Sequence, residues 1–293
     1  MFDWLWLCIG IRIVANPVSN VYQKLLTRDG ANSLVVVCVT HSLLSMACLP
    51  AVPWISLMHR TEFWSNMAVG ALLNVAGNAL LVQAMQLSDL SVLGPINAYK
   101  SVVSLLPAIV LLGEVPAPAA LAGIALIVAG SYGLADRAEA GVVGWTGLWR
   151  DRGVQCRLAA LVFNAVEAVF LKRALLISSP LPTFVVWSVL GFVASWPVVA
   201  LLLDRSELRR QASLVRTGLA YYLSLCVTTG LMQLCTIVVL GGLQVGYVLA
   251  LFQVSAIISV LLGRQVFGER HFIKRLIGSA VMAAGAALIV IYR

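Results

Sequence analysis

Apolar stretches long enough to cross a membrane fill almost the whole of this sequence. A helix needs about 20 consecutive apolar residues to span the hydrocarbon core of a bilayer. The sequence therefore predicts an all-α integral membrane protein that lies in the lipid bilayer. Ten transmembrane spans are predicted, at residues 4–25, 32–57, 64–86, 90–112, 117–135, 154–176, 182–203, 214–238, 243–265 and 271–292.

The composition leaves little of the chain outside the membrane. Hydrophobic residues make up 61% of the 293 residues and charged residues only 11%, whereas soluble domains contain about 25% charged residues. The connections between spans are short, apart from 136–153 and 204–216, which we interpret as loops too small to form a further domain. The first span has neither a basic leader nor a small-residue cleavage site before it, so we expect it to be retained.

Neither the cysteines nor the net charge indicates a cofactor or a nucleic acid. The six cysteines form no C-x-x-C pair, and most lie in apolar spans, where a thiol packs as a small hydrophobic group. The formal net charge of +8 comes from basic residues that flank the spans, not from a basic stripe interleaved with aromatic residues. We therefore expect no metal, no other cofactor, no disulfide and no nucleic-acid partner.

Two segments of the chain share one motif. GEVPAPAALAGIALIVAG at 113–130 aligns without a gap with GERHFIKRLIGSAVMAAG at 268–285. Both follow the order G-E, eight residues, G, five residues, A-G. Small side chains permit close packing of membrane helices, and we attribute this role to six residues of the motif: Gly123, Ala129, Gly130, Gly278, Ala284 and Gly285.

A second match, near the start of each half, extends this duplication. Asn16 and Lys24 match Asn164 and Lys172, with the same eight-residue spacing. Each half then holds five predicted spans, and this odd number makes the second half enter the membrane from the opposite face. Such inverted repeats are typical of transporters, which hold their substrate near the midplane between the two halves. The predicted units are a first five-helix repeat at 1–137, a connecting loop at 138–153 and a second five-helix repeat at 154–293.

These motifs resemble the EamA-type transporters of the drug/metabolite transporter superfamily. The repeated G-E motif, the ten spans and the five-plus-five duplication carry the resemblance, which covers the whole chain. The resemblance implies a ten-helix carrier in which the first, third, fourth, sixth, eighth and ninth helices surround a central cavity. It implies no particular cargo, because family members carry amino acids, nucleotide sugars, other metabolites or drugs.

Polar side chains within the predicted spans occur mainly on the same six spans. Arg12, Asn16 and Asn20 in the first span are four residues apart and share one helix face. His41 is the main exception, because it lies in the second span. We expect a substrate pathway lined by Arg12, Asn16, Asn20, Asn74, Asn78, Asn97, Lys100, Asn164, Glu167, Gln233 and Gln253.

Structural explanations compete with this interpretation. Amides in membrane helices often only bond to a neighbouring helix, and the long side chain of Arg12 could reach the membrane interface. Lys100 and Glu167 could form a structural ion pair, although a charge at the bilayer centre costs about 3 kcal/mol even on lenient scales and usually marks a functional path. Glu114 and Glu269 are interpreted as structural, since each begins a helix and suits the positive end of its macrodipole.

The sequence favours a secondary transporter over an enzyme. It contains no H-E-x-x-H, G-x-S-x-G or Walker motif and no pair of intramembrane carboxylates. Because Arg12 and Lys100 outnumber Glu167, we expect a small zwitterionic or anionic metabolite that is moved by alternating access. A proton is the expected coupling ion, since Glu167 could bind one when substrate competes for Lys100. A flippase for lipids or lipid-linked metabolites, built on the same architecture, is the alternative.

The basic residues also predict an orientation in the cell membrane, plasma or inner, which the chain crosses several times. Most of the twenty Lys and Arg residues border the connections after odd-numbered spans, Arg157 among them. Only Arg60, Lys172, Arg173 and Arg293 border the other connections. The positive-inside rule then places both termini outside the cytoplasm, whereas the family resemblance implies that both termini lie inside.

Overall fold

Helices form all the regular secondary structure in the part of the chain that the structure describes. The structure is a computed structural model, and it describes residues 2–54, 60–88, 93, 96, 99–115, 117–132, 152–268 and 272–291. Two 3-10 turns lie at Leu49–Trp54 and Phe252–Val254. The helices are α1 (Phe2–Arg28), α2 (Ser33–Cys48), α3 (Thr61–Leu87), α4 (Tyr99–Leu112), α5 (Pro118–Tyr132), α6 (Arg152–Leu176), α7 (Pro180–Leu202), α8 (Arg205–Thr217), α9 (Leu219–Gly242), α10 (Val245–Leu251), α11 (Ser255–Phe267) and α12 (Phe272–Ile291).

Seven helical segments among the described residues are long and apolar enough to cross a membrane, which supports a multi-pass membrane protein. Three shorter apolar helices lie within the remaining predicted spans, at Tyr99–Leu112, Leu121–Gly130 and Leu276–Gly285. At those three places the predicted crossing stays a prediction. The seven long segments are Trp4–Arg28, Ser33–Pro53, Thr61–Leu87, Arg152–Leu176, Pro180–Leu202, Leu219–Gly242 and Val245–Phe267.

The most extensive helix contacts join the first half of the chain to the second. Helix α3 packs along α6, α1 along α9, α5 along α12 and α2 along α7. The largest apolar cluster accordingly combines Phe63 and Met67 of the first half with Trp187 and Ile237 of the second. The apolar core therefore lies between the halves, and neither half buries its apolar surface by itself.

The connection at 204–216, predicted to be a loop, contains helix α8 instead. Asp204 caps this helix, because its carboxylate accepts a hydrogen bond of 2.7 Å from the backbone N–H of Glu207. The predicted eighth span consequently begins later than residue 214, at Leu219. Gln211 is buried and donates to the carbonyl of Gly30. The connections that follow α1 and α7 therefore lie on the same side of the molecule.

The glycine of the repeated G-E motif ends a helix in both halves. Gly113 follows α4 with φ +68° and Gly268 follows α11 with φ +66°, in the left-handed region where a side chain costs about 1–2 kcal/mol. The N–H of Gly113 bonds to the carbonyl of Ile109, and the N–H of Gly268 bonds to that of Arg264. This glycine therefore has a conformational role, which we had not predicted.

The glycines at the far end of the motif do act through packing. A methyl group on Gly130 would lie 2.9 Å from the carbonyl oxygen of Gly278, and one on Gly285 would lie 2.6 Å from that of Gly123. Both contacts are between α5 and α12, whose backbones touch here. Only a residue without a side chain fits this distance.

Candidate functional site

A cavity of about 100 Å³ lies between the halves and contains polar side chains from seven helices and a turn. Helices α1, α2, α3, α4, α6, α7 and α9 and the 3-10 turn at Phe252–Val254 all contribute polar side chains. Asn97 was also predicted here, but it lies outside the described residues. The remaining predicted residues all line this cavity: Arg12, Asn16, Asn20, Asn74, Asn78, Lys100, Asn164, Glu167, Gln233 and Gln253.

Arg12 points into the protein and does not reach for the membrane interface. Its side chain is 8% exposed, and its Nε donates a hydrogen bond of 2.9 Å to Thr236 Oγ1. The guanidinium carbon lies 4.6 Å from the ring centre of Phe252, within the range of a cation–π contact. Its Nη1 is buried without a hydrogen-bond partner in the described part of the chain. The guanidinium is thus fixed through its Nε, while its Nη1 donates no hydrogen bond to the described residues.

Lys100 and Glu167 interact across the cavity from opposite halves. Their charges attract each other, yet among the described residues they form no direct ion pair. Glu167 is 7% exposed, and its Oε1 accepts a hydrogen bond of 3.0 Å from the indole Nε1 of Trp187. The structural ion pair that competes with a transport role is therefore absent from the described geometry, and both charges face the cavity.

Trp187 was not predicted, because an apolar span gives no reason to single out one of its tryptophans. His41 is its neighbour, with ring centres 4.6 Å apart. His41 Nε2 accepts a hydrogen bond of 2.9 Å from Asn74 Nδ2, and Asn78 donates to Asn74 Oδ1. A polar chain therefore runs from Asn78 to His41, and His41 packs on the indole that holds Glu167. The residues that position the Glu167 carboxylate, His41 and Trp187, therefore lie in the second and seventh spans, where we expected few polar residues.

Arg157 is the main residue of the cavity that the sequence prediction placed elsewhere. We had assigned it to a basic connection, but it lies inside α6, is 6% exposed and lines the cavity. Its Nε donates a hydrogen bond of 3.1 Å to the carbonyl of Leu93. The signal was available, since Arg157 precedes Asn164 by seven residues and so shares its helix face. A third cation thus joins Arg12 and Lys100.

Several amides of the cavity also have structural partners. Gln253 donates 2.8 Å to the carbonyl of Leu249, and Asn16 lies 3.5 Å from Ser255 Oγ. Asn164 packs against Gly77, where an added methyl would lie 2.3 Å from its Oδ1. That oxygen is buried and has no hydrogen-bond partner within the described residues. Asn164 therefore keeps an unused acceptor in the cavity wall.

Glu114 is structural, as predicted, but it caps a helix other than its own. Its Oε2 accepts a hydrogen bond of 2.7 Å from the backbone N–H of Val245, the first residue of α10. Its Oε1 lies 2.9 Å from Lys172 Nζ, which also donates to the carbonyl of Leu243. Lys172 is 8% exposed, so it is not the free basic residue of a connection that we expected. Glu269 lies outside the described residues.

Comparisons with known proteins agree with the resemblance drawn from the sequence. Residues 12–135 match the model of the EamA-like transporter family, which confirms that resemblance. A crystal structure of a protein aligns over 97% of this chain and 97% of its own, with a TM-score of 0.68 and 15% sequence identity. At this identity the alignment shows a shared fold alone. No curated protein matches the chain.

Proposed function

Because residues 12–135 belong to the EamA-like transporter family, we propose that this membrane transporter is a secondary carrier for a small anionic or zwitterionic metabolite. The observation that carries the proposal is the polar cavity between the halves, where Arg12, Lys100 and Arg157 outnumber Glu167. Buried cations without matching anions cost free energy unless a ligand or water compensates them. An anionic group of a substrate would supply that compensation.

The packing of the helices supports alternating access between two inverted five-helix repeats. Exchanging the halves turns the α3–α6 contact into the α9–α1 contact, and it returns the α5–α12 and α2–α7 contacts to themselves. A two-fold duplication of five spans would produce this relation. Two similar halves around one site can rock against each other and open that site to either side in turn.

A flippase is less well supported than a carrier of small metabolites. Lipid tails need an apolar path beside the head-group site, whereas amides, hydroxyls and charges from most of the helices line this cavity together with apolar side chains such as Leu81, Leu171 and Met232. The cavity has a volume of about 100 Å³. A solute with few atoms fits such a space better than an acyl chain does.

Glu167 is our candidate for coupling transport to a proton. The protonation of a buried carboxylate depends on desolvation and on nearby cations, and substrate that binds Lys100 would weaken the attraction between Lys100 and Glu167. Glu167 would then bind a proton and release it when the substrate leaves. The proton and the substrate would therefore cross the membrane together.

The first experiment screens the purified protein by thermal shift with small anionic, zwitterionic and cationic metabolites, then tests hits for counterflow in liposomes. We expect anions or zwitterions to stabilise the protein, and Lys100→Met to remain folded but to lose transport. Arg173→Met is the control, because it removes a basic residue that is 32% exposed in its side chain and does not line the cavity. Transport by Lys100→Met at the normal rate, or stabilisation by lipophilic cations alone, would contradict the proposal.

The second experiment tests the proton. Glu167→Gln should keep the exchange of substrate between the two sides of the liposome membrane, since exchange needs no net proton movement. The same variant should lose the accumulation that an imposed pH gradient drives in the unmodified protein. If Glu167→Gln accumulates substrate normally under a pH gradient, proton coupling through this residue is wrong, while the carrier proposal stands.

We also propose that the connections after α1 and α7 face the cytoplasm of a cell whose plasma or inner membrane holds the protein. These connections lie on one side of the molecule, and that side carries the exposed Arg28, Arg205, Arg209 and Arg216. The positive-inside rule then places the termini on the other side. A reporter that is active only in the cytoplasm, fused after residue 293, should be inactive, and activity would reverse this orientation.

A further inference from the structure

The charges around the cavity are unbalanced by two. Arg12, Lys100 and Arg157 each carry one positive charge, and Glu167 carries the single negative charge among the described lining residues. Arg12 and Arg157 repel the charge of Lys100, and Glu167 attracts it. His41 adds no charge in this arrangement, because its Nε2 accepts a hydrogen bond from Asn74. A ligand with one negative charge would leave half of the imbalance in place.

The two arginines keep donors for such a ligand. Arg12 uses Nε on Thr236 and leaves Nη1 buried without a partner among the described residues. Arg157 uses Nε on the carbonyl of Leu93, so the described bonds leave both of its terminal nitrogens uncommitted. A guanidinium presents paired N–H groups that match two oxygens of one carboxylate or phosphate. Each arginine is thus fixed at one nitrogen and presents the rest of its fork to the cavity.

We propose that this cavity selects a small dianion, a phosphate monoester or a dicarboxylate, through Arg12, Lys100 and Arg157. The inference rests on the proposed transport function and narrows its substrate class. While Glu167 is charged, a dianion neutralises the two uncompensated charges, whereas a zwitterion with no net charge neutralises neither. Arg157 is the residue that distinguishes the two cases. Without it, the positive charges of Arg12 and Lys100 would exceed the negative charge of Glu167 by only one.

The experiment compares matched ligands that differ by one charge, with the purified full-length protein in detergent and isothermal titration as the readout. One arm pairs succinate with monomethyl succinate, and the other pairs methyl phosphate with dimethyl phosphate. We expect the dianion of at least one pair to bind about ten- to a hundredfold more tightly than its partner, since a hydrogen bond to a charged group contributes on this scale. The arm that shows the difference identifies the carboxylate or the phosphate as the ligand chemistry.

Variants at Arg157 test the assignment itself. Arg157→Gln should reduce dianion affinity by about ten- to a hundredfold while it changes monoanion affinity much less, so that the preference shrinks. Arg157→Lys keeps the charge and should retain most of the preference even if the contact with Leu93 is lost. Arg209→Gln, an exposed arginine of α8, is the control and should change neither affinity.

Two binding results would overturn the proposal. The first is equal affinity for the monoanion and the dianion in both pairs. The second is an equal loss of both affinities in Arg157→Gln when Arg157→Lys behaves in the same way, since Arg157 would then only support the fold. Counterflow of a monoanion or a zwitterion in place of a dianion would leave the carrier proposal intact and refute the selection of a dianion. Dianion binding without counterflow of any solute would refute the carrier proposal instead.

Discussion

The two halves of the chain match in their packing and differ in their charges. Lys24 and Lys172 occupy matching positions, are both 8% exposed and both contact the opposite half. Lys172 pairs with Glu114 just after α4, and Lys24 Nζ lies 4.8 Å from the ring centre of Phe267 at the end of α11. The lysine of each half therefore contacts the end of the helix that precedes the G-E motif in the other half.

The charged residues of the cavity show the opposite behaviour. At the offset of 148 residues that relates Asn16 to Asn164, Arg12 corresponds to an alanine, Arg157 to an isoleucine and Glu167 to a serine. At the offset of 155 that relates the G-E motifs, Lys100 corresponds to a serine. Matched packing lets two halves exchange roles, whereas unmatched charges allow one ligand to bind in a single orientation. The main helix contacts are therefore matched between the halves, and the charges of the cavity are not.

The largest expected effect comes from the lysine that joins the halves by an ion pair. The side chains of Lys172 and Glu114 are only 10% and 12% exposed, and removing one partner of a buried pair typically costs 3–5 kcal/mol. We expect Lys172→Met to lower the unfolding temperature in detergent strongly, and Lys172→Met with Glu114→Gln to cost less than the sum of the single changes.

The neighbouring pair supplies the control. Arg173 Nη2 lies 3.6 Å from Glu62 Oε1, and these side chains are 32% and 56% exposed. Exposed pairs contribute about 0–1 kcal/mol, so Arg173→Met should change the unfolding temperature little. If Lys172→Met and Arg173→Met lower the unfolding temperature by the same amount, the ion pair between Lys172 and Glu114 does not stabilise the contact between the halves.

Next in size is the pair of glycines where α5 crosses α12. Gly130→Ala and Gly285→Ala each place a methyl group against backbone atoms of the facing helix, and overpacking of this kind costs about 1–3 kcal/mol. We expect similar losses in the two halves, measured by thermal unfolding in detergent. Gly10→Ala is the control, since an added methyl there meets no atom within 4 Å. A loss in one half alone would break the symmetry of the packing.

Much of this arrangement could be predicted from residue spacing. Polar stripes on apolar helices predicted which residues surround the cavity, because a membrane leaves such a face few other partners. The repeated G-E motif predicts a duplication, and the helix contacts keep their pattern when the halves are exchanged. The capping pattern D-x-x-E at Asp204 and Glu207 also indicates the start of helix α8, although we predicted a loop there.

Contacts between distant segments could not be predicted. The seven-residue spacing between Arg157 and Asn164 indicates a shared helix face, but it does not indicate that the carbonyl of Leu93 is the partner of Arg157. Trp187 resembles any other aromatic residue of an apolar span until the fold brings Glu167 to its indole nitrogen. These features depend on which helix faces which, and the chain order does not contain that information directly.

A smaller effect is expected at the glycines that end α4 and α11. Their φ angles of +68° and +66° are nearly identical, and a side chain in this conformation costs about 1–2 kcal/mol. Gly113→Ala and Gly268→Ala should therefore lower the unfolding temperature by similar amounts, and Gly→Asn at either position should cost less, since Asn tolerates this conformation. Unequal losses would show that the two motifs share a sequence without sharing a backbone role.

The smallest effect concerns α8, which belongs to the second half alone. The matching connection of the first half contains a 3-10 turn, Leu49–Trp54, in its described part. In α8, hydrogen bonds from Arg210 and Gln211 lower the pKa of the Glu207 carboxyl to about 2. Because Gln211 also donates to Gly30, the charged form of Glu207 helps to hold α8 on the first half.

A carboxyl whose pKa is lowered by folding stabilises the folded protein above its unfolded pKa of about 4.3 and loses this contribution as the pH falls towards 2. Glu207→Gln removes the titration and keeps the shape of the side chain. We expect the variant to unfold at a slightly lower temperature than the unmodified protein at pH 6.5, and the difference to shrink at pH 3. A difference that stays constant between these pH values would show that the titration of Glu207 does not contribute to holding α8 on the first half.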